Sequence, residues 1–224
     1  RLITIFFARC GHPVEDHWVF FEMSAEGEQK AGLLTLFRPP YLSQTIGIWL
    51  GFFCCLLASY TMFSWLPTML STQDFSLRDT SLFMSVYHGG AIFGGLLAGI
   101  VMQKYGARVP SMAVAMLGAV VVGCIAYLPL HAVHNVLLIC LLGAAGLLMA
   151  GLHNGVYTLE AMAYPSQVRG TGVGAASAFG RLGAVASSFT GVITMGAGGN
   201  WFFFLFIAVV LAIATIGFSW LRPA

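Results

Sequence analysis

Gly170–Met195 reads GTGVGAASAFGRLGAVASSFTGVITM, a run of 26 residues with a single charge and no proline. A membrane-spanning α-helix needs roughly 20 mainly apolar residues to cross a hydrocarbon core of about 30 Å. The run therefore reads as a spanning helix. Gly172, Ala176, Gly180, Ala184 and Ser188 recur at four-residue steps, and small residues at that spacing form a groove where a second helix approaches closely. The one charge, Arg181, stands eleven residues after Gly170, which at about 1.5 Å per residue puts it near the bilayer midplane. A central arginine costs from about 2.5 kcal/mol upward, so its side chain is expected to face a polar cavity or a partner.

Outward from this run, five more apolar stretches have spanning length: Gln44–Leu70, Ser81–Gln103, Pro110–Pro129, Val133–Leu159 and Trp201–Leu221. The connectors are short: Ser71–Thr80, Lys104–Val109, Leu130–Ala132, Glu160–Arg169 and Gly196–Asn200. The expected fold is an all-α membrane protein with six transmembrane helices in 44–224, preceded by a polar segment, 1–43. Composition agrees. Of 224 residues 58% are hydrophobic and 8% charged, where a soluble domain carries about 25% charge. Nine of the 18 charges lie in residues 1–38, so the remainder is expected to be solvated mainly by lipid. With a net charge of +2 and no basic block, nothing here has the electrostatic footprint of a nucleic-acid binder.

If the segment before the first span is cytoplasmic, the inside segments hold Lys30, Arg38, Lys104, Arg108, Arg169 and Arg222, against Arg78 alone outside. The positive-inside rule selects that orientation, with both ends cytoplasmic. Cys10, Cys54, Cys55, Cys124 and Cys140 are odd in number and lack a CxxC pair, which fits small packing residues rather than disulfides or a zinc site. The chain opens on Arg1, and Leu2–Ala8 is too short for a span and unlike a secretory signal, so a longer polypeptide is expected.

Chemistry is sparse. Arg181 offers a forked donor set suited to a carboxylate, and Ser177, Ala184 and Ser188 share its neighbourhood on the helix. Two readings are open: binding of an anion, or an ion pair with an acid beyond these residues. The fourth span ends on His153, Asn154, Tyr157 and Glu160, a polar run expected to face the interior. His153 and His88 could relay protons or simply pack. Tyr60 is deep enough in the first span for a cavity-lining role, whereas Trp65 fits an interfacial anchor. His131 and His134 form an HxxH without an acidic or cysteine partner, and no metal site is expected. No nucleophile, base and orienter constellation or phosphate-cradling motif occurs, and neither an enzyme nor a cofactor is expected.

Three stretches carry a resemblance. Gly99–Arg108 (GIVMQKYGAR) resembles the Gly-x-x-x-Asp-Arg/Lys-x-Gly-Arg-Arg loop of the major facilitator superfamily, between its eighth and ninth helices. Gln103 stands where that loop usually carries Asp. Tyr164–Gly172 (YPSQVRGTG), preceded by Glu160, is similar to the loop between helices ten and eleven. Phe179–Ala184 (FGRLGA) resembles a Gly-Arg-x-Gly-Ala stretch of helix eleven in the aromatic-acid and organic-anion branches, of which the aromatic acid:proton symporters fit best, and Trp65, Leu66 and Pro67 fit the end of helix seven.

The resemblance implies helices seven to twelve of a twelve-helix secondary transporter. That transporter would take up small aromatic or related organic acids with protons across the inner membrane, together with an amino-terminal six-helix bundle. It implies that Arg181 binds the anionic substrate; Tyr60, His153, Asn154 and Tyr157, from their places in the first and fourth spans, are the further candidates for the site. It also implies that Glu160, Arg169, Lys104 and Arg108 make charge contacts at the inside face. A sugar, polyol or drug carrier of the same superfamily, or a half-length assembly partner that transports nothing, are the alternatives.

Overall fold

The computed structural model describes residues 32–73, 75–128 and 135–221, and these are helices joined by short turns. A 3-10 helix, Leu33–Phe37, precedes α1 (Leu42–Ser71), α2 (Leu77–Tyr105), α3 (Arg108–Tyr127), α4 (Asn135–Ala163) and α5 (Ser166–Ser219). Each of α1 to α5 is long and apolar enough to cross a membrane. A straight helix of the 54 residues of α5 would be about 81 Å long, far beyond a hydrocarbon core of about 30 Å. Gly199 resolves this. At φ 62°, ψ −144° it leaves helical geometry, a conformation open to glycine because it has no Cβ. An amino limb, 166–198, and a carboxy limb, 200–219, result, so the described chain has six spanning arms.

The turns are tighter than the sequence suggests. The expected connector Gly196–Asn200 shrinks to the break at Gly199. Glu160–Arg169 is mostly helical: α4 runs through Ala163 and α5 restarts at Ser166, leaving Tyr164 and Pro165 between them. Proline suits a helix start, where its missing N–H has no intrahelical acceptor. Gly106, at φ 74°, lets α2 turn into α3 within two residues. Ser76 caps α2 by accepting from the Asp79 N–H (3.1 Å), and its hydroxyl donates to the Asp79 carboxylate (2.7 Å). Residues 1–31, with Cys10 and Lys30, lie outside the described residues, as do His131, His134 and Arg222. The described end of the amino-terminal segment packs rather than floats: Leu36 is fully buried, and its carbonyl accepts from the Thr45 hydroxyl (3.0 Å).

Two seams organise the bundle. α2 meets α4 where Gly90 and Gly94 lie against the Gly143 and Leu147 carbonyls and Gly146 against the Tyr87 carbonyl; a Cβ at any of the three would collide with backbone. α1 meets α5 along Gly180, Gly183, Ser187 and Gly191, all buried, through Phe52, Phe53 and Trp65, while Gly172 lies against Tyr164. The carboxy limb of α5 closes the bundle by packing on both α1 and α3, through Gly217 on Gly47 and Leu211 on Gly118. The strict four-residue stripe expected from sequence is corrected here, because four residues turn a helix about 40° past a full rotation. By Ser188 the stripe has drifted to the exposed side, and the seam recovers with one three-residue step, Gly180 to Gly183, before four-residue steps to Ser187 and Gly191.

Away from the seams the surface of α2 is apolar, with Ile92, Phe93, Leu96 and Ile100 exposed. In lipid such residues cost nothing, since acyl chains are as apolar as they are. Cys54 and Cys55 are buried in α1, but Cys124 and Cys140 are exposed, so only the first pair packs as expected.

Candidate functional site

The amino limb of α5 turns one face to α1 and presents Arg181 on another. Arg181 is exposed and, among the described residues, makes no hydrogen bond or ion pair. The charges of Arg181 and Glu160 both act on the Tyr157 hydroxyl on α4, which has the Tyr60 phenol for a neighbour. Tyr60 and Tyr157 are 42% and 43% exposed, so two phenols stand half-open near an unpaired guanidinium. His153 joins them, its ring centroid 6.2 Å from that of Tyr60 and 5.5 Å from that of Tyr157. Asn154 does not: one residue on, about 100° around the helix, its amide lies against α2 at Gly95.

Beneath this face the framework is latched by polar contacts. The Ser177 hydroxyl, one turn before Arg181, donates to the buried Glu160 carboxylate (2.9 and 3.1 Å), tying α5 to α4. Thr61 and Thr190 share a hydroxyl hydrogen bond (2.9 Å) between α1 and α5. The Trp65 indole N–H donates to the Ser187 carbonyl (3.1 Å), with its ring over Gly191. Trp65 is thus a clamp between helices rather than the interfacial anchor that its place near the end of a span suggests.

Continuous with Tyr60 and His153 is a cavity of about 360 Å³ between α1, α2 and α4. Tyr60 and Phe63 line it from α1, Tyr87 and His88 from α2, and Met149 and His153 from α4. His88 sits edge-on between Phe63 (5.6 Å) and Tyr87 (5.3 Å). Its place on the same cavity as His153 follows from the crossing of α2 on α4, to which no sequence spacing points.

The four charges expected at the inside face have separate partners in this structure. Glu160 is held by Ser177. Arg169 Nε donates to the Tyr164 carbonyl (3.1 Å). Arg108 donates to the Ser219 carbonyl at the end of α5 (2.7 Å), a favourable place for a cation because a helix C-terminus carries partial negative charge. Lys104 Nζ lies 5.3 Å from the Tyr105 ring centroid. Tyr164 anchors this end: it is buried between Gly172 and α1, and its hydroxyl donates to Thr45 Oγ1 (3.4 Å). Burial raises the pKa of that hydroxyl above the ordinary tyrosine value, keeping it a donor. Among the described residues no three His, Cys, Asp or Glu side chains group as metal ligands.

Comparison with known proteins locates this arrangement. The Major Facilitator Superfamily model matches residues 48–224. The chain is 31% identical over 175 residues to the 3-(3-hydroxy-phenyl)propionate transporter of Escherichia coli K12, covering 77% of this chain and 42% of that protein. It is 30% identical over 201 residues to the gallate transporter of Pseudomonas putida, covering 87% and 44%. With the 4-hydroxybenzoate transporter of Acinetobacter baylyi it shares 28% identity over 192 residues, covering 85% and 41%. The chain thus spans less than half the length of these relatives.

Proposed function

Because the chain belongs to the major facilitator superfamily, we propose that its six spans are helices seven to twelve of a proton-coupled importer of small aromatic acids, with Arg181 as the carboxylate ligand. The observation that carries this reading is the unpaired guanidinium of Arg181 in the middle of a spanning limb, within electrostatic reach of Tyr157. An arginine so placed is costly unless an anion or a polar cavity compensates it. A carboxylate does so through two parallel N–H···O bonds. The substrates in the names of three relatives, a phenylpropionate, gallate and a hydroxybenzoate, each join a carboxyl group to one aromatic ring. Tyr60, His153 and Tyr157 supply the aromatic surroundings of the site, and Asn154 borders it toward α2.

In this reading residues 1–43 are a cytoplasmic segment between two bundles and 44–224 is the second bundle. Both ends face the cytoplasm in an inner membrane, as the lysine and arginine distribution favours. The first bundle and the proton-coupling carboxylates lie outside these residues, a view supported by the chain's spanning 42% of the Escherichia coli relative. The two bundles rock about the midplane site and release the acid unchanged. At the inside face Glu160, Arg169, Lys104 and Arg108 exchange their present partners for contacts with one another or with the first bundle. Pairs made by the exposed Lys104 and Arg169 at a watery surface are worth about 0–1 kcal/mol each, enough to bias the two states without holding the fold, whereas the buried Glu160 must first leave Ser177.

The test is uptake of a benzoate-type acid by the protein as its gene encodes it. Arg181→Ala should reduce uptake roughly 10- to 100-fold, the loss of a charged hydrogen-bonding partner worth about 1.5–3 kcal/mol, while the amount of protein in the membrane is unchanged. Arg181→Lys should also be poor, since a point charge does not replace the planar fork. Unchanged uptake in Arg181→Ala removes the assignment.

A further inference from the structure

We propose that the cavity between α1, α2 and α4 seats the ring of the transported acid, and that His88 and His153 select rings bearing a hydroxyl group. The proposal rests on the carboxylate reading of Arg181 and adds what the other end of the substrate meets. At about 360 Å³ the cavity is near the lower end of the roughly 300–1,000 Å³ of small-molecule sites, a size for one ring rather than several. Its walls at Phe63, Tyr87 and Met149 are suited to the faces and edges of an aromatic ring.

The polar groups on the wall carry the selectivity. His88 and His153 come from different helices and line the same cavity. Both are half-buried, both are held by ring contacts alone, and among the described residues neither makes a hydrogen bond. The ring nitrogens of both are open rather than sealed, and neither is bonded to the protein, so both are free to bond a ligand that enters the cavity. A neutral imidazole offers one donor and one acceptor, and a hydroxyl both donates and accepts, so it serves either tautomer of either ring. The two ends of the site also adjoin: His153 is one turn from Tyr157, whose hydroxyl the Arg181 charge reaches. A substrate with its carboxylate on Arg181 therefore extends its ring past Tyr157 and His153 toward His88.

The experiment is competition for uptake by benzoate and the three monohydroxybenzoates, again in the complete protein. The wild type should favour at least one hydroxybenzoate over benzoate. His88→Phe keeps a ring between Phe63 and Tyr87 but removes both nitrogens. It should cut the hydroxyl preference about tenfold and change benzoate inhibition less than twofold, because a site built to bond a hydroxyl discriminates through that bond. His88→Asn should recover part of the preference. Ala91→Phe fills the cavity from its wall without touching a nitrogen, and should weaken all the ring acids alike. A wild type without hydroxyl preference, a preference that survives in both His88→Phe and His153→Phe, or undiminished ring-acid inhibition in Ala91→Phe overturns the proposal. If those results come with Arg181→Ala still abolishing uptake, only the ring site falls; if Arg181→Ala is silent, the carboxylate reading falls as well.

Discussion

Two faces of the amino limb of α5 are built to opposite rules. The inner face, through Gly180, Gly183, Ser187 and Gly191, has almost no side chain, and α1 lies so close that a Cβ at Gly183 would strike the Phe53 carbonyl. The outer face carries Arg181, Val185 and Phe189, all exposed, with the guanidinium unpaired among the described residues. In a membrane neither face is shaped by escape from water. The inner one is selected for close approach of backbones, where dispersion and interhelical hydrogen bonds act. The outer one is free of packing, and the proposed carboxylate site gives a reason for an expensive charge there. Changes on the inner face should therefore show in folding and those on the outer face in transport.

The largest effect is expected at Gly183. Gly183→Leu drives a side chain into the α1 backbone, which cannot turn aside as a rotamer can, and overpacking of this kind costs about 1–3 kcal/mol or more. Little folded protein should reach the membrane, seen as loss of the monodisperse peak in detergent; Val185→Leu on the outer face should accumulate normally. Normal accumulation of Gly183→Leu would mean that the seam is looser than the contacts indicate.

Next is the Glu160–Ser177 latch. Glu160→Ala leaves Ser177 without its acceptor and should lower stability by about 1–3 kcal/mol, read as a fall in the melting temperature of purified protein. Glu160→Gln, which still accepts the bond, should lose less. Equal losses would assign the effect to the negative charge rather than to the bond. Trp65→Phe is smaller, about 0.5–1.5 kcal/mol for one neutral hydrogen bond to the Ser187 carbonyl. That substitution should leave the ring over Gly191 and the affinity for substrate in place, and a large loss of affinity would move Trp65 into the binding site. The smallest effect is chemical. In detergent a maleimide should label Cys124 and Cys140 well before Cys54 and Cys55, because only the first two are exposed. The reverse order would contradict the packing of α1.

Much of the fold was legible because lipid imposes a simple code. Length and apolarity give the six spans, and the small residues at Gly90, Gly94, Gly172 and Gly180 mark where helices meet. The code loses phase over several turns, which is why Ala184 and Ser188 seemed to continue a stripe that passes through Gly183 and Ser187. It also says little about turns: Glu160–Arg169 looks like a loop by polarity, yet Glu160 and Arg169 lie on helices around Tyr164 and Pro165. Arg181 was legible from its cost alone. The bond between Trp65 and Ser187, and the meeting of His88 and His153 on one cavity, were not, because they depend on helix crossings between residues far apart in the chain.

The role of Arg181 is tested most directly by the contrast between benzoate and benzamide as inhibitors of uptake, in wild type and Arg181→Ala. The two molecules share a ring and differ in charge. The acid should inhibit the wild type at least tenfold better than the amide, and Arg181→Ala should erase that difference while the protein remains in the membrane. Equal inhibition by acid and amide in the wild type, or an acid preference that survives in Arg181→Ala, would contradict a carboxylate site at Arg181.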